Sequence, residues 1–299
     1  MPPPPEVVRL ARLHRARQQQ VSGAAVAAVR RLWPSGPWQD IAAVLLRLMT
    51  AFQREAARGA TSYVSTSLTL AGEVADPVGV VNESAFAGVA ADGRDLASLL
   101  SFPAFEVDAF VREGMDRVQA EAIGLRHLER IAQTEIQDAA RVATGVAVAS
   151  DRTVTGYIRM LSPPSCSRCV VLAGKFYRWN AGFERHPQCD CVHIPAAENL
   201  AGDVRTDPKA YFADLSEQEQ DATFTKAGAQ AIRDGADISR VVNARRGLYV
   251  AGGRKYTREA TTKRGTGMKI RLTPDQIYLE AKGDRDEALR LLKRFGYLL

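Results

Sequence analysis

All four cysteines of this 299-residue chain fall between Cys166 and Cys191, and two of its four histidines, His186 and His193, lie among or beside them. Cys166 and Cys169 form a C-x2-C pair, the spacing at which a tight turn aims two thiolates at one point. Further on, "HPQCDCVH" supplies His186, Cys189, Cys191 and His193. Tetrahedral zinc takes four nitrogen or sulfur ligands, commonly as two turn-borne pairs on either side of a loop. Cys166, Cys169, His186 and Cys189 fit that format as C-x2-C-x16-H-x2-C. Cys191 competes for the fourth position, because along an extended chain it faces the same side as Cys189. The expectation is one structural zinc. A reduced knuckle held by packing and a pair of disulfides are the alternatives. A thioredoxin-like redox centre fits poorly, since it leaves the second pair unexplained.

The same stretch is also where a nucleophile would have to be. Cysteine or serine proteolysis needs a histidine beside the attacking group. The candidates are Ser165, Cys166 or Cys169 with His186 or His193. A metal site consumes most of these side chains. The chain holds neither a G-x-S-x-G elbow nor an H-E-x-x-H helix. His127, within "LRHLERIAQTE", reads as a packing or surface residue of a long helix.

The elements that must position these residues are mostly helical. From Glu6 to Leu32 apolar residues recur on one side, and "WPSGP" ends the run because two prolines and a glycine cannot continue it. A second helix begins near Trp38. The stretch from Gly72 to Pro103 is weakly patterned and reads as loop with short helices. Val107, Val111, Met115, Val118, Ala122 and Leu125 then mark one face of a long helix extending towards Ala149. "TVTGYIRML", from Thr153 to Leu161, is β-branched and aromatic enough for a strand leading into the cysteines. After Pro195, Ser216 and Glu219 stand at capping-box spacing, so a helix is expected from there to Gly235. Thr273 with Pro274 opens another helix, and Asp284 to Phe295 forms the last. The expected fold is mainly α. It has an N-terminal helical region (1–150), a small α+β cysteine-rich module (151–200), and a helical C-terminal region (201–299) with a basic loop.

With these residues in view, "GYIRMLSPPSCSRCVVLAGKFYRW" and "GFERHPQCDCVHIP" resemble the signature of phage MuF-like minor head proteins. Cys166, Cys169, Leu172, Gly174, His186, Pro187, Cys189 and Cys191 match it in order. "DPKAYF", "FTKAGAQAIRDGADISRVVNARRGLY" and "ALRLLKRFGYL" look like actinobacteriophage members of that group. The resemblance implies a minor capsid protein that takes part in head assembly with portal and major capsid proteins. It would be made in the host cytoplasm and carried in the virion head. Members of the group are also commonly labelled capsid maturation proteases, which is a separate enzymatic alternative.

Charge is uneven. Between Arg240 and Arg271 ten basic residues face the single Glu259, an excess of +9, whereas the whole chain is +6, so the remainder sums to −3. "GLYVAGGRKYTREATTKRGTGMK" is glycine-rich with interleaved tyrosines and reads as an exposed loop or β-hairpin. Arg254, Lys255, Arg258, Lys263 and Arg264 are candidate phosphate contacts, with packaged DNA as the partner. A solvated loop, or one docked on an acidic protein, is the plainer reading. Hydrophobic residues make up 46% and charged residues 25% of the chain, the balance of a globular protein. No apolar run approaches the length of a membrane span, and no secretory pattern opens the chain, so no membrane partner is expected.

Overall fold

The first helix, α1 (Pro5–Leu32), starts on a proline at its first position, where a missing N–H costs nothing. Its buried residues Val7, Ala11, Arg15, Gln18, Ser22, Ala25 and Val29 follow steps of four and three, so polar side chains occupy the middle of the core stripe. The computed structural model describes residues 3–33, 36–161, 165–180, 191–197, 208–245, 247–258 and 271–298. The chain divides into two units, one of residues 1–162 with 175–204, the other of residues 163–174 with 205–299.

In the first unit, α2 (Trp38–Ala57) and α3 (Ala60–Leu70) are separated by Gly59, whose φ of 79° ends one helix and begins the next. The helices α4 (Leu96–Arg112) and α5 (Arg117–Ser150) are capped by the Asp95 and Asp116 carboxylates, which accept from the Ser98 and Gln119 N–H groups. Leu45, Met49, Leu96, Leu100, Leu128 and Ile136 form one apolar cluster among α1, α2, α4 and α5. Val7, Tyr63, Leu68, Val148 and Ile194 belong to a second.

Two expectations need correction here. The apolar repeat from Val107 to Leu125 is two helices, because Gly114 turns the chain at φ 95° and Asp116 restarts it. Val107 is buried on α4 while Val118 on α5 is 75% exposed. The segment up to Pro103, expected as loop with short helices, ends inside a long one, since α4 begins at Leu96 and runs through that proline. Burial of Leu96, Leu100, Pro103 and Val107 along one face outweighs the hydrogen bond the proline cannot donate.

The loop before α4 is held by buried polar side chains. The Gly88 N–H donates to Gln53 Oε1 at 2.8 Å, and Gln53 Nε2 donates to the Val89 carbonyl at 2.9 Å. The Ala91 N–H donates to Glu135 Oε2 at 2.8 Å. The unit is completed by an antiparallel sheet in which β1 (Gly156–Met160) lies between β2 (Phe176–Arg178) and β3 (Val192–Ala196). Gly156 stands opposite Arg178 and Ala196. A Cβ there would sit 2.1 Å from the Tyr177 carbonyl oxygen, so only glycine allows β2 to approach.

The second unit contains α6 (Ser167–Leu172), α7 (Pro208–Asp214), α8 (Glu217–Phe224), α9 (Lys226–Arg233) and α10 (Ile238–Asn243). After them come β4 (Leu248–Ala251), β5 (Arg254–Thr257), β6 (Arg271–Leu272), α11 (Pro274–Ala281) and α12 (Arg285–Arg294). The capping box of Ser216 and Glu219 is present. The helix it opens stops at Phe224, however, because Thr225 adopts φ 69° and its hydroxyl caps α9 through the Gly228 N–H. Thr273 and Asp284 cap α11 and α12 as expected. Ala231, Val241, Leu272, Ile277, Leu292 and Tyr297 share one core. Tyr297 is fully buried, donates to the Leu272 carbonyl at 2.8 Å, and accepts the Asp237 N–H at its own carbonyl at 2.8 Å. Helices dominate and both sheets are small and antiparallel, in agreement with a mainly α fold.

The tight crossing of α4 and α5 supplies a test. At Gly124 of α5 a Cβ would lie 2.5 Å from Val107 Cγ2, 2.9 Å from Trp33 Cζ2 and 3.2 Å from the Pro103 carbonyl oxygen. Alanine raises helix propensity by about 1 kcal/mol over glycine. Overpacking of this kind costs about 1–3 kcal/mol. Gly124→Ala is therefore expected to melt below the wild type. Thermal denaturation showing an equal or higher midpoint would contradict so close an approach.

Candidate functional site

The turn into α6 brings Cys166 and Cys169 together. Cys166 is the N-cap of α6, and its Sγ accepts the Cys169 N–H at 3.4 Å. The two sulfurs are 3.4 Å apart, and Cys169 is buried. The pair therefore offers two convergent soft ligands, half of a tetrahedral zinc set. His186 and Cys189, expected in the other half, lie outside the described residues, and Cys191 belongs to the first unit. Among the described residues no group of three or more His, Cys, Asp or Glu converges on one point.

The second unit has no histidine in its sequence, so Ser165, Cys166 and Cys169 find no imidazole within their own unit. Ser165 is buried, and its N–H donates to Tyr211 Oη at 3.4 Å. His127 packs edge-on against Phe102, and its Nδ1 lies 2.5 Å from Glu106 Oε2, so it bridges α4 and α5 as a packing residue.

In the first unit Cys191 and His193 sit on and just before β3. Both are buried. The His193 ring lies 4.4 Å from that of Tyr157, and Tyr157 stacks on Tyr177 at 5.5 Å. Burial pushes the Tyr157 hydroxyl up to about 12, with the neighbouring Tyr177 adding to the shift and Arg159 opposing it. Tyr177 is raised by burial too, against the charge and hydrogen bond of Arg159. Both phenols stay neutral at ordinary pH, so neither serves as a base. The Tyr63 hydroxyl of α3 donates to the His193 carbonyl at 2.6 Å. On the far side of Tyr63, His14 stacks at 3.9 Å with its plane tilted by only 5°. Gln18 Nε2 reaches His14 Nε2 at 2.6 Å, which makes that ring nitrogen an acceptor. His14, Gln18, Arg141, Thr144, Cys191 and His193 enclose a void of about 10 Å³. That is the room of about one water. Among the described residues, this side of Cys191 has no space for a peptide substrate.

Sequence reasoning missed His14, Gln18, Tyr63 and Arg159. The signal was present in α1, where Arg15, Gln18 and Ser22 fall in register with Val7, Ala11 and Val29. Polar residues on an apolar stripe mark a buried hydrogen-bonding network rather than a solvated face.

The basic segment contains an antiparallel hairpin of β4 and β5, closed by Gly252 and Gly253, both at positive φ. Arg254, Lys255 and Arg258 are exposed on it. Lys263 and Arg264 lie outside the described residues. No helix among the described residues is long and apolar enough to cross a membrane.

A family model described as VG15 protein matches residues 5–218. The match takes in every described element of the first unit, together with α6 and α7 of the second. No curated protein and no solved structure matches the chain.

Two outcomes follow from this geometry. Burial, together with Arg17 and Arg15, lowers the His14 pKa from 6.5 to about 4, so the folded ring is neutral and the unfolded ring takes the proton first. Stability should then be complete above pH 6.5 and fall as pH drops towards 4, by up to roughly 3 kcal/mol from this residue. His14→Phe should flatten the midpoint-against-pH curve over that window, and an unchanged slope would remove His14 as its source. For the metal, protein purified without oxygen is expected to carry about one equivalent of zinc, and Cys169→Ser to lose it. Elemental analysis finding only traces in the wild type would rule the site out.

Proposed function

The chain belongs to the VG15 protein family, a phage virion-associated type, and on that premise we propose that it is a structural minor capsid protein of head assembly. The observation that carries this reading is the family match over more than two thirds of the chain. Within the matched residues Gln53, Glu135, Tyr63 and His14 hold one part of the first unit to another, and Gln18 fixes His14 within α1. Among the described residues, the void that Cys191 and His193 share with α1 and α5 has room for about one water. Such residues build a rigid body and leave little for chemistry.

In this reading the protein is MuF-like in type. It assembles with the portal and major capsid proteins in the host cytoplasm and remains in the head. The Cys166–Cys169 turn acts as a structural clamp, with zinc as its intended ion, rather than as a nucleophile. No feature of the described residues favours the maturation-protease alternative over this one.

Mass spectrometry of purified heads should find the chain at few copies per particle. Co-expression with the major capsid protein of its own phage should leave that protein at full length. Trimming of the capsid protein at one defined position, lost on Ser165→Ala or Cys166→Ser in a folded chain, would replace the structural reading with the protease.

A further inference from the structure

The hairpin of β4 and β5 differs from the rest of the surface in how its charge is arranged. From Ile238 to Arg258 the sequence has no acidic residue. Successive residues of a strand point to opposite faces. The pairing Val250 with Lys255 therefore lies on one face, while Ala251 with Arg254 and Tyr249 with Tyr256 lie on the other. Arg258 continues that second face, its guanidinium 5.1 Å above the Tyr249 ring. Cations thus project from both faces of the ribbon.

The ribbon is also braced. The Lys255 N–H donates to Gln276 Oε1 of α11 at 3.1 Å, and the Lys255 carbonyl accepts the Thr273 N–H at 3.1 Å. Arg254 Nε meets Glu280 Oε1 at 3.1 Å. Tyr249 and Tyr256 stack at 5.6 Å across the strands. Beyond these anchors the two glycines form a tip, and Val250 is 66% exposed.

We propose that this ribbon enters the major groove of duplex DNA, with Lys255 on one face and Arg254 and Arg258 on the other meeting the phosphates of opposite groove walls. A partner protein with an acidic patch would meet one face of a ribbon, whereas a groove meets both. The dimensions agree: β6 pairs with β5 only at Tyr256 and Thr257, so the sheet is two-stranded from Val250 to Lys255, its strands lie about 4.8 Å apart, and the major groove is about 12 Å wide and admits a two-stranded ribbon. Arginine and lysine read guanine when they face the groove floor, but here Lys255 stands on one face of the ribbon and Arg254 and Arg258 on the other, towards the groove walls, so contact is assigned to the backbone and is independent of sequence. The inference stands on the hairpin alone and does not require the head-assembly reading.

The test uses the full chain and short duplexes of two unrelated sequences. Both should bind equally at low salt. Affinity should fall steeply between about 50 and 200 mM salt, and the variant R254Q/K255Q/R258Q should flatten the log–log slope by about one unit for each phosphate no longer neutralised. V250E and A251E place a carboxylate on opposite faces at exposed positions, so groove entry predicts several-fold weaker binding for both, with unchanged melting curves. Weakening by only one of them would mean that a single face docks, and would overturn the groove. Equal competition by polyglutamate would identify an acidic protein as the partner instead. Absence of binding to either duplex at low salt would end the proposal.

Discussion

The hydrogen bond from the Tyr63 hydroxyl to the His193 carbonyl joins the helices of the first unit to its sheet. A buried hydroxyl or carbonyl left without a partner costs about 1–3 kcal/mol, so the helical side must present Tyr63 in one place. His14 stacked on the ring and Gln18 bonded to His14 fix it there. That chain of contacts dictates why α1 carries polar residues on its inner stripe. Polarity inside this bundle is a requirement of attaching a sheet, and it removes the freedom to repack α1 with apolar residues alone.

Helix starts were readable in the sequence because they depend on local chemistry. Ser216 with Glu219, Thr273 with Pro274, and Asp284 each satisfy backbone N–H groups within three residues, whatever the rest of the chain does. Helix interruptions were less readable. A period of three and four residues passes unbroken through Gly114 and through Thr225, yet the chain turns at both. The turn at Thr225 suits its surroundings, since Gly228 lies 3.3 Å from Val241 Cγ1 at the position a Cβ would take. Close approach to a distant helix leaves no trace in a local window.

The candidate site divided along the same line. The C-x2-C spacing was sufficient to place Cys166 and Cys169 together, because one turn does that work. The surroundings of Cys191 could not be inferred from "HPQCDCVH", as they come from α1 and α5, far off in sequence. The hairpin was legible through its paired glycines, but not the bracing by Gln276 and Glu280, which belong to a later helix.

The threading of the chain through its two units constrains how the protein can be made. The first unit needs β3 to complete the sheet that β1 begins, and α6 of the second unit is synthesised between them. As the chain leaves the ribosome, α6 emerges well before α7 and α10, the helices it packs against. The first unit is unfinished until β3 emerges and the second for the whole of that interval, while Cys166 at the N-cap and Cys169 within α6 await the helices that α6 packs against. A single cut anywhere in residues 163–174 or at the start of α7 yields no fragment that contains one whole unit and nothing of the other. The two bodies are distinct in their contacts but inseparable in biosynthesis.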